Sequence, residues 1–192
     1  MIRFLVDEMI KSNIISEEEQ ESYIYGLTIW TEKVITFCTL ILVLFAINKL
    51  VPGLILIVSF LLLRERTGGF HLPSFFGCFV GTILLIVLSV TVIAPVLESN
   101  TRIALVLLIL SVISILVFTP VNHPNLDLTA KEKRQCRIYS FKVLAIEVVG
   151  VLIGYLLDFK STIYIVIGIV LCALLIIIAK IIGQEVKTSE GK

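Results

Sequence analysis

"STIYIVIGIVLCALLIIIAKII", residues 161–182, carries one formal charge, Lys180, in an otherwise apolar run. A spanning helix needs about 20 mostly apolar residues to cross roughly 30 Å of hydrocarbon, and this run is long enough. It does not alternate over about ten residues as a barrel strand would, so a helix is the structure it can form in lipid. Read outward from it, the chain contains five further runs of the same kind, at 29–47, 50–63, 75–97, 103–121 and 139–157. The run at 50–63 is short for a crossing, and it is expected to tilt, re-enter, or lie partly buried by its neighbours. The connections "NK", "ESNTR" and "DFK" are brief, so consecutive helices should form antiparallel hairpins.

Composition agrees with this reading. The 192 residues are 58% hydrophobic and 16% charged, with a mean hydropathy of +1.06. Soluble domains are usually about half apolar and a quarter charged, and a chain this poor in polar residues lacks the surface to cover one water-soluble core. The fold class is therefore all-α: a polytopic membrane protein with about six transmembrane helices and an N-terminal amphipathic region. A net charge of +1, without a basic patch interleaved with aromatics, gives no footprint for nucleic acid. Cys38, Cys78, Cys136 and Cys172 are widely spaced and form no CxxC pair, which fits neither a disulfide framework nor a zinc site. No metal and no cofactor is expected.

Three segments follow. In residues 1–28, Ile2, Leu5, Val6, Met9 and Ile10 share one helical face, and Arg3, Asp7, Glu8 and Lys11 lie elsewhere. That suits a helix lying in the membrane interface, or one packed on the end of the bundle. The opening "MIRFLVDEMIKSN" has no small-residue cleavage site, so no cleavable signal peptide is expected. "SEEE" at 16–19 reads as a capping box, with Ser16 at the N-cap and Glu19 at N3, and starts a helix that continues toward the first span. Residues 29–182 form the transmembrane domain, and 183–192 read as a disordered cytoplasmic tail.

With six spans, both termini share one side with the 64–74 and 121–138 loops. Thirteen of the 16 Lys and Arg residues fall on that side, and Lys49, Arg102 and Lys160 fall on the other. Basic loops stay in the cytoplasm, so the termini and both loops are predicted to be cytoplasmic.

"RERTGGFHLPSFFGC", residues 64–78, breaks the apolar pattern at the cytoplasmic entrance to the third span. In an unbroken helix, residues seven apart share a face but stand about 10 Å apart along the axis. Proton transfer needs about 3 Å. Gly68, Gly69 and Pro73 interrupt the helix, which lets His71 fold back over the start of the next one. With Leu72 or Ser74 as N-cap, Cys78 falls within the first turn or two. The helix N-terminus and an imidazolium both bring positive charge to that sulfur, as a nucleophilic thiolate requires. A Cys–His pair is the minimal constellation for nucleophilic acyl transfer. Ser74 is either a cap or a third polar group, and Gly77 permits close helix approach. Arg64 and Arg66 read in the first instance as snorkelling, topology-setting charges.

The pattern Arg64-x4-Gly69-x-His71-x6-Cys78 resembles the signature of the accessory gene regulator B (AgrB) family. These are membrane endopeptidases of Gram-positive bacteria that process cyclic-peptide quorum-sensing precursors. The length, six apolar segments, amphipathic N-terminus and the "TPVNHPN" and "KEKRQCR" stretches are also similar to that family, so the likeness covers nearly the whole chain. It implies a bacterial cell-membrane thiol protease in which His71 and Cys78 are catalytic and Arg64 and Gly69 support the site. It implies a short propeptide substrate with an amphipathic leader, a central Cys or Ser, and an acidic tail, and also a homodimer. Backbone amides near Cys78 and the Arg64 guanidinium are candidate oxyanion donors. Lys131, Lys133, Arg134 and Arg137 are candidates for recruiting the acidic tail, or else set topology and contact anionic lipid.

A small peptide or solute transporter without protease activity is the alternative. Its usual sign is an ionisable residue at mid-span, and Glu147 is one. That carboxyl lines a substrate cavity or bonds between helices. His123, beside Pro120 and Pro124, reads as a solvated loop residue.

Overall fold

The computed structural model describes residues 2–12, 14–70, 74–121 and 129–183. Within them the chain is helical, with elements α1 (Ile2–Lys11), α2 (Gln20–Ala46), α3 (Leu50–Thr67), α4 (Phe75–Leu88), α5 (Ala94–Ser99), α6 (Thr101–Phe118), α7 (Ala130–Leu156) and α8 (Thr162–Ile182). Met1–Ala46 and Ile47–Lys192 are two compact units. Of the tail expected at 183–192 only Gly183 is described, and the loop residues His123 and Pro124 lie outside the described residues.

In the first unit, α1 packs on α2 and buries Val6, while Phe4 and Leu5 stay exposed. Gln20 Nε2 donates to Asp7 Oδ1 at 2.9 Å, joining the two helices on their polar side. The Ser16 amide and hydroxyl both donate to Glu19 Oε2, at 3.1 and 2.9 Å, and these bonds hold the Glu19 carboxyl below its ordinary value. A short 3-10 turn at Glu17–Glu19 leads into α2, which then runs unbroken through residues 28 and 29.

Among the described residues, five helical stretches are long and apolar enough to cross a membrane: Gln20–Ala46, Phe75–Ser99, Thr101–Phe118, Ala130–Leu156 and Thr162–Ile182. The chain is a multi-pass membrane protein. The short second run is α3, whose apolar part is extended by the charged residues Arg64, Glu65 and Arg66 before it ends at Thr67. It is partly buried by its neighbours and, with three charges in its last turn and a half, is not one of the five stretches above. Leu56, Ile57, Phe60 and Leu63 face inward against α7 and α8.

The second unit is built around α8, which lies against α3, α5, α6 and α7. A helix apolar on all sides belongs in the centre, and Val166, Ile169, Cys172, Ile176 and Ala179 have no exposed surface. Gly168 lets α3 approach closely: a Cβ there would stand 2.5 Å from Ser59 Oγ and 3.1 Å from the Phe60 amide nitrogen. Gly154 makes the same allowance for Thr162 at the α7–α8 hairpin, where Asp158 takes a left-handed turn conformation (φ 52°).

The structure departs from the sequence reading in three places. The third run is two helices joined by a π turn at Ser89–Ile93, in which the Ala94 amide reaches back to the Ser89 carbonyl. Pro95 follows, and a proline supplies no N–H and crowds the preceding turn, so a widened turn ahead of it relieves the ladder. The "ESNTR" connection shrinks to Asn100, because the residues on either side stay helical. The predicted 121–138 loop is also corrected: α7 begins at Ala130, so Lys131, Lys133, Arg134 and Arg137 stand on a helix rather than in a loop. A complete capping box starts it, with Glu132 N–H donating to Thr129 Oγ1 (3.3 Å) and the Thr129 amide donating to Glu132 Oε2 (2.9 Å).

Candidate active site

Helix α3 stops where the sequence stops it. Gly68 and Gly69 take φ values of +68° and +123°, which side chains with a Cβ rarely adopt. The chain leaves as an extended strap held at three points. The Val121 amide donates to the Thr67 carbonyl (2.9 Å), and the Phe70 amide donates to the Leu175 carbonyl of α8 (3.0 Å). The third point is Arg64, whose guanidinium donates to the carbonyls of both Gly68 and Phe70. The arginine thus turns back from α3 and clasps the strap that leads to position 71.

The glycines are required sterically as well as conformationally. A Cβ on Gly69 would collide with the Arg64 guanidinium and stand 3.3 Å from the Leu175 carbonyl. One on Gly68 would collide with the Val121 carbonyl oxygen. Under the strap, Thr67 Oγ1 lies 3.1 Å from the buried sulfur of Cys172.

Beyond the strap, Ser74 is the N-cap of α4: its hydroxyl accepts from the Gly77 amide at 3.2 Å. The Cys78 amide donates to the Ser74 carbonyl at 3.1 Å, which puts Cys78 in the first turn. Its thiol is free and half-buried. The half-buried Arg64 guanidinium is within electrostatic range of both Cys78 and Cys172. His71 lies outside the described residues.

The remaining candidates fall in two other places. Lys131 and Arg134 are exposed and Lys133 is half-buried on the first turns of α7. Arg137 donates to the Leu116 carbonyl at 3.4 Å and sits 5.4 Å from the Phe141 ring. Glu147 is buried farther along α7, and among the described residues neither carboxyl oxygen lies within hydrogen-bond geometry of a partner. Ser59 on α3 is its polar neighbour, and that hydroxyl donates to the Ile165 carbonyl (3.3 Å). Among the described residues, no three His, Cys, Asp or Glu side chains group as metal ligands do.

Thr67, Val121, Leu175 and Cys172 were not legible as site residues. Thr67 and Cys172 are separated by 105 positions, and a cysteine inside an apolar run carries no local sign that an arginine lies above it. The spacing from Arg64 to Gly69 was the available signal, and it marks a contact between those two residues.

The family model for Accessory gene regulator B matches residues 2–182. No curated protein and no solved structure matches the chain.

Proposed function

The chain belongs to the accessory gene regulator B family and has a role in the agr quorum-sensing system, and we propose that it is the membrane-embedded cysteine endopeptidase of that system. Its substrate is a short propeptide with an acidic C-terminal tail. The observation that carries this reading is the Arg64 clasp: a guanidinium bound to the Gly68 and Phe70 carbonyls secures the chain immediately before His71, with Cys78 one helix turn beyond the Ser74 cap.

In the proposed reaction His71 takes the proton of the Cys78 thiol. The thiolate attacks the carbonyl carbon at the boundary between signal and tail. The C–N bond breaks, His71 gives its proton to the departing amine, and the peptide stays on Cys78 as a thioester. A thiol or hydroxyl of the peptide then attacks that thioester. The Cys78 sulfur is expelled and reprotonated, and a thiolactone or lactone closes. No water is consumed, so a site that excludes water at the membrane interface preserves the acyl-transfer potential that hydrolysis would waste. The pair and both termini face the cytoplasm in this reading, with Lys131, Lys133, Arg134 and Arg137 on the same side as the acidic tail.

The test is reconstitution in liposomes with a candidate propeptide, followed by intact mass. Wild type is expected to show a Cys78-linked adduct and the released tail. Cys78→Ala should abolish both, and His71→Ala should abolish or strongly slow them. The transporter reading draws on the Glu147 carboxyl, which is buried in a spanning helix and has no hydrogen-bond partner among the described residues. Peptide passage that survives both substitutions, with no adduct in wild type, would favour it.

A further inference from the structure

On the flank of α3 away from the clasp, Arg66 reaches α7. Its guanidinium carbon stands 5.3 Å from the centroid of the Tyr139 ring, and Lys142 Nζ stands 5.6 Å from the same centroid. Both are within cation–π range. Two cations from two helices therefore converge on one ring that is 51% exposed. Among the described residues neither cation has an ion-pair partner. Glu65, next to Arg66, is exposed too, and two cations against one carboxylate leave the patch positive.

Below this head group of charges the surface changes character. Leu62 and Val58, one and two turns back from Arg66, are exposed, as is Ile146, one turn on from Lys142. The antiparallel course of α3 and α7 takes both apolar stripes in the same direction. Eight helical residues cover about 12 Å, close to the ~15 Å of hydrocarbon in one leaflet. A positive, aromatic-backed notch above an apolar face has the pattern of one amphiphile with an anionic head and two chains. An acidic peptide would match the notch and leave the stripes uncovered.

We infer that Arg66, Tyr139 and Lys142 form a binding site for the phosphate head of an anionic phospholipid, whose acyl chains lie along the exposed stripes of α3 and α7. The two cations engage the phosphate oxygens, and the tyrosine hydroxyl is available as a donor. The site belongs to the membrane-spanning architecture and does not depend on the proposed protease chemistry.

The full chain is reconstituted in vesicles of phosphatidylglycerol and phosphatidylcholine, released in mild detergent, and its retained lipid read by native mass spectrometry. Wild type should retain phosphatidylglycerol in preference to phosphatidylcholine. R66Q/K142Q should lose that preference by roughly tenfold or more, as expected for two interfacial cations. R66K/K142R, which preserves charge, should keep it. R102Q/K160Q, which removes two exposed cations elsewhere in the chain, should keep it as well. Equal retention of the two lipids by wild type, or unchanged preference in R66Q/K142Q, overturns the site. So does a glutamate-rich peptide that R66Q/K142Q no longer binds while its phosphatidylglycerol retention is intact, since that assigns the notch to peptide.

Discussion

Gly69 and Arg64 are two halves of one device. At φ +123° the backbone of residue 69 is open to glycine and strained for other residues, and the space a Cβ would need is filled by the arginine that clasps the neighbouring carbonyls. Gly69→Ala is therefore expected to displace the guanidinium rather than unfold the chain. If the clasp positions His71 against Cys78, displacement by about 1 Å should cost on the order of 100-fold in Cys78 adduct formation. Arg64→Lys should lose most of the activity too, because one ammonium does not reproduce a planar fork across two carbonyls. Single-turnover intact mass at matched expression reads both, and wild-type adduct rates in either variant would remove Arg64 from the site. The spacing that joins Arg64, Gly69, His71 and Cys78 was visible in the sequence. The clasp itself was not, since nothing local says that a membrane-edge arginine turns back on its own chain rather than snorkelling outward.

Helix ends organise the next level. Ser74 was open to two readings, cap or polar catalytic group, and the structure has its hydroxyl accepting from the Gly77 amide. If capping is its role, Ser74→Asn should retain activity, because asparagine caps as well as serine. Ser74→Ala should cost about 1 kcal/mol of helix stability and loosen the turn that holds Cys78. Amide hydrogen exchange at residues 77–79 with adduct formation measured in parallel separates the cases: an inactive but well-protected Ser74→Asn would point to chemistry at the hydroxyl. Thr129 shows the opposite lesson. "TAKE" at 129–132 carries the same [ST]-x-x-[DE] pattern as "SEEE", yet the polar residues after it obscured a helix whose apolar part begins only at 139. Thr129→Ala should cost ~0.5–2 kcal/mol and fray α7 up to Arg134, visible as faster exchange there. The π turn at Ser89–Ile93 was hidden for another reason: a proline late in an apolar run announces a disturbance without saying how the ladder absorbs it.

At the scale of the whole molecule, the second unit depends on the contact of α3 with α8. Gly168→Ala places a methyl against Ser59 and the Phe60 backbone and should destabilise by about 1–3 kcal/mol. Gly150→Ala meets nothing within 4 Å and should be neutral or mildly stabilising, as alanine usually is in a helix. Thermal unfolding in detergent compares them, and equal midpoints would show that the α3–α8 approach is slack. Sidedness is tested by single cysteines at 70 and 100 in an otherwise cysteine-free chain. An impermeant thiol reagent on intact cells is expected to label position 100 and spare 70; the reverse pattern inverts the proposed topology. Apolar run length was enough to yield the membrane-spanning helices, and the paired glycines were enough to yield the break at Gly68–Gly69, because insertion into hydrocarbon and helix termination depend on consecutive residues; the polar start of α7 and the π turn were not within their reach. They could not say that α8 is the centre, that Cys172 lies beneath Thr67, or that Arg66 and Lys142 share Tyr139. Those relations join segments far apart in the chain, and they exist because side chains from different helices compete for the same few ångströms once the bundle closes.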